Sequence, residues 1–190
     1  MVSVSNKSNY NYSSDLVENV VDINITSTNN NAIFTYIGGV VAKAEETVNG
    51  YYIKNTNVTL ALNAKSLNVG GVAGYAKYLN IDNCDVDLVY NIANQINCYT
   101  NIAGVVGAGE SVTIYNCNVE FDYSKILFNS TDNYRNVGLI AGILTKDSTN
   151  NKIINCGTAG IADTTIITNN KISVLGVYGR ATTGAAPEYN

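Results

Sequence analysis

Four cysteines and one acidic cluster carry most of the intrinsic chemistry in this chain of 190 residues. Three of the cysteines share one setting: Ile81-Asp-Asn-Cys84, Ile114-Tyr-Asn-Cys117 and Ile153-Ile-Asn-Cys156. Thiols so placed could take a soft metal, form disulfides or fill a core as small, weakly polar groups. No C-x-x-C pair occurs, Cys98 falls outside the pattern, and the chain has no histidine. A His-ligated zinc, a Cys-His pair and a Ser-His-Asp triad are therefore excluded. Side chains stacked in register would point their Cβ atoms the same way, which disfavours a disulfide. The expectation is a column of buried reduced thiols, with no metal and no cofactor.

Asp82, Asp85 and Asp87 cluster in one stretch, and Glu120 and Asp122 recur in the next. A polysaccharide-cleaving site would set such carboxylates against a basic partner, for which Lys77 and Arg135 are the candidates. Charge that alternates along a strand marks its solvated face, and no segment has the spacing of an EF-hand loop. Catalysis is not expected. Tyr75, Tyr78, Tyr115 and Tyr134 are the candidate ligand-facing residues, since an aromatic ring can stack on a sugar. Gly104-Val-Val-Gly-Ala-Gly109 is not a phosphate loop: it lacks the G-x-G-x-x-G order, and no G-K-[ST] follows.

What must position these residues is a repeat. One six-residue motif recurs as Ile37-Gly-Gly-Val-Val-Ala42, Val69-Gly-Gly-Val-Ala-Gly74, Ile102-Ala-Gly-Val-Val-Gly107, Val137-Gly-Leu-Ile-Ala-Gly142 and Val174-Leu-Gly-Val-Tyr-Gly179. Successive first positions lie 32, 33, 35 and 37 residues apart. The fourth position is Val40, Val72, Val105, Ile140 and Val177, always β-branched, and is expected to form an apolar core column. The sixth is always Ala or Gly, for a backbone turn or a close approach.

The second motif contains the cysteines. It reads Ile53-Lys-Asn-Thr56 in the first unit, so Asn55, Asn83, Asn116 and Asn155 form one column and Thr56, Cys84, Cys117 and Cys156 the next. Asparagine tolerates left-handed corners, and its amide can bond along a stack. Asn68, Asn101 and Asn136, just before the first motif, suggest a second ladder. Alternating runs follow the second motif in three units, such as Val58-Thr-Leu-Ala-Leu62, but Gly157-Thr-Ala-Gly160 breaks the pattern. A partial copy stands at 16–25. Two units carry polar insertions at 45–50 and 146–151, which belong on projecting loops.

Helical periodicity is absent, so each unit reads as two or three short strands. One unit cannot bury its apolar face, but stacked units can. The expected fold is all-β, a parallel solenoid or β-helix-like stack of about five irregular repeats, with an antiparallel β-sandwich as the alternative. The repetitive domain is placed at 16–179, between tails at 1–15 and 180–190. A net charge of −4 argues against a nucleic-acid partner, and no apolar run is long enough for a membrane span. Several of the 30 asparagines fall in these ladders at turns.

Val69-Gly-Gly-Val-Ala-Gly74 followed by Ile81-Asp-Asn-Cys-Asp-Val86 resembles the GLUG repeat, with its Gly-Gly-Leu-Val-Gly core and Ile-x-Asn-Ser/Cys turn. The resemblance covers about 35–179 and departs at Ala103, Leu139, Leu175 and Gly157-Thr158. It implies a β-solenoid of bacterial or protist surface proteins, including adhesins and regions flanking immunoglobulin-A peptidases, and it brings no catalytic residue. The implied role is a non-enzymatic scaffold or adhesion segment, extracellular or on a cell surface, although the start of the chain lacks signal-peptide features. The implied partners are a glycan or a host or cell-surface protein. A carbohydrate-binding or polysaccharide-acting β-helix, and a structural protein that stacks end to end, are the alternatives. The chain is also compatible with being a fragment of a longer protein.

Overall fold

The computed structural model describes residues 19–26, 33–45, 51–90, 100–122, 135–145, 151–161, 172–174, 177–181 and 188–189. Every strand pairing among them is parallel, so the structure is a β-solenoid and not an antiparallel sandwich. No helix long and apolar enough to cross a membrane is present among the described residues.

The chain winds through three sheets in a fixed order. The first motif spans two of them. Its leading residues end the strands of sheet B: β2 (Ile33–Gly38), β5 (Lys65–Gly70), β8 (Thr100–Ala103), β12 (Arg135–Gly138) and β16 (Ile172–Val174). Its trailing residues open those of sheet C: β3 (Val41–Glu45), β6 (Ala73–Lys77), β9 (Val106–Glu110), β13 (Ala141–Thr145) and β17 (Tyr178–Ala181). The second motif and its alternating run build sheet A. Its strands are β1 (Asn19–Thr26), β4 (Tyr51–Asn63), β7 (Leu79–Tyr90), β10 (Thr113–Tyr115), β11 (Asn118–Asp122), β14 (Lys152–Ile154), β15 (Gly157–Ile161) and β18 (Glu188–Tyr189).

Register follows the repeat residue for residue. Val69 pairs with Ile37 and Ile102, Ile81 with Ile53 and Ile114, and Val86 with Val58 and Val119. The partial copy at the start joins in the same register, with Val21, Ile23 and Ile25 opposite Val58, Leu60 and Leu62. Because strand side chains alternate faces, each apolar column faces inward, buried in its middle rungs and half-buried at Val21, Ile23 and Ile25 in the first. Leu60, Leu88 and Phe121 form one fully buried column, and the ring of Tyr90 fills the corner beside Leu62. The Tyr90 hydroxyl is satisfied there by the Ala64 carbonyl at 3.0 Å.

The corner between sheets B and C is made by the fourth motif position. Val40, Val72, Val105 and Ile140 each donate their amide to the carbonyl of the equivalent residue in the next rung, at 3.1, 3.0, 3.1 and 2.8 Å. Each receiving carbonyl also takes the amide of the residue after its donor, as Val105 takes Val72 and Ala73. Val72, Val105 and Ile140 are fully buried, while Val40 and Val177 are half-buried because they occupy the terminal rungs of the column.

The described glycines of this motif serve close approach rather than a special dihedral, since none of them has a left-handed φ. Gly107 is typical: a Cβ there would lie 2.6 Å from the Val69 amide nitrogen and 2.7 Å from its carbonyl oxygen. Sheets B and C thus meet backbone to backbone. Left-handed backbone belongs instead to Tyr78 and Ser111, at the corner between sheets C and A, and to four asparagines. Asn55, Asn83, Asn116 and Asn155 have φ of 49°, 53°, 54° and 50°, and each bends its rung of sheet A.

Two segments add detail to the stack. Gly157-Thr-Ala-Gly160 breaks the apolar pattern yet stays in the sheet as β15, with Thr158 opposite Val119 and Gly160 opposite Phe121, because ladder bonds are made by backbone. Within 180–190, Ala181 ends β17 and β18 pairs with β14. The N-terminal stretch 1–15 lies outside the described residues.

Candidate functional site

The thiol column is built by the left-handed asparagine that precedes each member. That bend turns the next side chain inward. Thr56, Cys84 and Cys117 are buried and Cys156 is partly exposed. Each donates to the carbonyl two residues back: Thr56 to Lys54 at 2.9 Å, Cys84 to Asp82 at 3.5 Å, Cys117 to Tyr115 at 3.3 Å and Cys156 to Ile154 at 3.3 Å. That Thr56 heads a column of three cysteines follows, since either residue supplies a small donor for that carbonyl. The three thiols are free. Cys117 titrates well above an ordinary thiol, because its neighbours Cys156 and Cys84 draw on its proton and burial disfavours its charge. The neighbouring Cys117 thiol favours a thiolate on either side of it in turn, which lowers Cys84 and brings Cys156 down to about 7. No group of three or more metal-ligating side chains is assembled among the described residues. Cys98 lies outside them.

The asparagines form two ladders. In sheet B, Asn136 donates to Asn101 at 2.7 Å, Asn101 to Asn68 at 2.8 Å and Asn68 to the Thr35 carbonyl at 3.1 Å. On sheet A, Asn83 donates to Asn55 at 2.7 Å and Asn155 to Asn116 at 2.8 Å. The link between these two pairs is missing. Asn116 donates instead to the Asp82 carboxylate at 3.0 Å, a stronger acceptor than an amide oxygen.

The acidic cluster faces outward on sheet A. Asp85 accepts from Asn118 at 2.9 Å, so two of its carboxylates are engaged by asparagines of the next rung. With Asn57, Thr59, Asp87 and Glu120 it borders a shallow open depression of about 530 Å³ that ends on Gly157–Ala159. The basic partners considered for catalysis are elsewhere. Lys77 is on sheet C, paired with Glu110, and Arg135 opens β12 in sheet B.

The candidate tyrosines separate onto two faces. Tyr75 lies on sheet C, its ring 5.9 Å from that of Tyr36 at 54°, with the Lys43 ammonium 5.9 and 5.8 Å from the Tyr36 and Tyr75 rings. Its hydroxyl donates to Glu110 at 3.4 Å, and burial together with Glu110 pushes it up to about 12. Tyr78, at the corner between sheets C and A, has a left-handed φ of 54° and lies under the Lys77 ammonium at 5.4 Å. Tyr115 belongs to sheet A beside Tyr52 and Asp82, where burial and the Asp82 charge also raise it to about 12. Tyr134 lies outside the described residues.

Sequence reasoning missed a charge ladder on sheet C. Glu45, Lys77 and Glu110 occupy one register column, Lys43 pairs with Glu45, and Lys77 pairs with Glu110. All three column residues stand eight positions after the first residue of the motif, so extending the repeat alignment would have found them. Comparison with known protein families, curated proteins and solved structures finds no match to this chain.

Proposed function

We propose that this chain is a non-enzymatic β-solenoid scaffold of an extracellular or cell-surface protein, built from repeats of the GLUG type. The observation that carries the reading is the use made of the motif residues. The β-branched column, the small column, both asparagine ladders and the cysteines, which reach the Ile53, Ile81 and Ile114 carbonyls one rung back at 3.9, 4.0 and 3.8 Å, are all engaged in joining one rung to the next. A residue so engaged supplies rigidity and spacing rather than turnover. The outward residues change from rung to rung, as a presenting surface requires.

The Tyr36–Lys43–Tyr75 face favours an adhesive role for that scaffold, with a glycan as partner. Two tilted rings stand beside fixed donors and acceptors from Lys77 and Glu110, which is the mixture of apolar face and polar edge that sugars engage. The test is a glycan-array and cell-binding screen of the chain against a Tyr36→Ala/Tyr75→Ala variant and against deletions within 46–50 and 146–150. Binding lost with the tyrosines supports the glycan face. Binding lost with the loops moves the adhesive site to the insertions. Turnover of acidic polysaccharides that Asp82→Ala or Asp85→Ala abolishes would overturn the non-enzymatic reading.

A further inference from the structure

Beyond the asparagine bend, the outer face of sheet A is charged with one sign. Its strand segments, 19–26, 57–63, 85–90, 118–122 and 157–161, contain no Lys or Arg. Asp22, Asp85, Asp87 and Glu120 all stand on it and are exposed. Elsewhere the described carboxylates have cations beside them: Glu45 pairs with Lys43, Glu110 pairs with Lys77, and Asp82 lies opposite Lys54 in the ladder. On the outer face Asp87 instead lies directly opposite Glu120. Like charges so placed repel and weaken the strand pair. The stack does not need them, since Thr59 and Ala159 fill the same column without charge. A local rule broken with no gain to the fold marks a functional surface.

The charge is spread and not gathered. No three metal-ligating side chains converge among the described residues. The carboxylates border the shallow depression that Asn57, Thr59 and Asn118 also line. A hollow so open does not enclose a small molecule, but a long ligand can lie along it. The aromatic rings of these segments, Tyr90 and Phe121, are fully buried, so the face offers no ring to a sugar.

We propose that this face docks an extended basic segment of a protein partner. Successive outward residues of one rung are ~6.6 Å apart, and alternate side chains of an extended peptide have the same spacing. Lys or Arg at every second position would meet Asp85 and Asp87 together, with Glu120 one rung on. Asn57 and Thr59, one rung back, supply donors and acceptors for the peptide backbone. The tyrosine face belongs to a different sheet, so the two surfaces are tested separately.

The experiment uses the full chain and a fluorescein-labelled peptide alternating Lys and Thr. Anisotropy at low and physiological ionic strength measures affinity, and amide NMR shifts locate the site. Binding should weaken with salt, and shifts should centre on residues 57–59, 85–87 and 118–120. Asp87→Asn/Glu120→Gln should weaken binding on the order of 10-fold at low salt. Glu45→Gln should leave it nearly unchanged, although Asp87→Asn alone removes the same charge and should weaken it. Asp87→Asn should also raise the melting temperature by relieving the repulsion. Absence of binding would overturn the proposal, as would equal losses in Glu45→Gln and Asp87→Asn, which would reduce it to net charge. Tighter binding of a chitosan oligosaccharide at the same amides would replace the peptide with an amino sugar. Shifts of those amides by calcium chloride alone would replace it with a metal ion. An unchanged or lower melting temperature in Asp87→Asn would overturn the repulsion from which the docking role is argued.

Discussion

Replacing Gly107 with alanine tests the packing of sheet C on sheet B at one atom. The added Cβ would stand 2.6 Å from the Val69 nitrogen, 2.7 Å from the Val69 oxygen and 2.7 Å from the Gly74 oxygen. All three are backbone atoms held by ladder bonds, so none can rotate away. Overpacking of this kind costs about 1–3 kcal/mol, and three rigid neighbours place Gly107→Ala near ~3 kcal/mol. For a chain of this size that corresponds to a fall of about 6–12 °C in melting temperature. Gly157→Ala is the control, because its Cβ would meet only the Asn118 side-chain oxygen at 2.7 Å, the far end of an exposed rotatable group tied by one hydrogen bond to Asp85. That change should stay within about 0.5 kcal/mol. Thermal unfolding followed by circular dichroism measures both. If Gly107→Ala melts with the parent chain, the two sheets do not meet backbone to backbone and the packing argument fails.

Three further outcomes follow from the same structure. Asn101→Ala leaves the nearly inaccessible Asn136 amide without its acceptor and should cost about 2 kcal/mol, read by urea unfolding; a neutral result would mean that the sheet B ladder adds nothing. Tyr75 and Tyr115 titrate at about 12 when folded, above the ordinary value of 10, so their contribution is fully present below pH 10 and is lost as pH rises toward 12. The chain should therefore lose melting temperature over that window, and Tyr75→Phe/Tyr115→Phe should flatten the loss; parallel curves would contradict the assignment. Tyr78→Asn relieves a bulky residue at φ 54° and should gain about 0.5–1 kcal/mol, and a loss of stability would show that the corner is unstrained.

Much of this was legible because the repeat is in phase. Once five copies are aligned, equivalent residues must stack, so the columns of Val72, Asn101 and Cys117 can be written down before any coordinate is known. The three-sheet cross-section cannot. Alternation along a strand gives its faces but not where the rung bends, and the bends at Asn83 and Asn116 depend on a left-handed φ that many other asparagines here do not adopt. The break between Asn83 and Asn116 was equally hidden. The competing acceptor, Asp82, stands one position before the column, and its equivalents Lys54 and Tyr115 bear no carboxylate. The half-burial of Val40 and Val177 comes from their rungs and not from their residue type. Gly157–Gly160 breaks the pattern yet keeps its place, because side chains carry the pattern whereas backbone carries the sheet.

The central claim is that residues 33 to 35 apart are hydrogen-bonded neighbours in a parallel stack. Through-hydrogen-bond NMR couplings test it directly, from the Val72 amide nitrogen to the Val105 carbonyl carbon and from the Val105 nitrogen to the Ile140 carbonyl carbon. Both couplings should be present. Their absence, or couplings from either amide to a partner in an antiparallel register, would contradict the solenoid and the column account built on it.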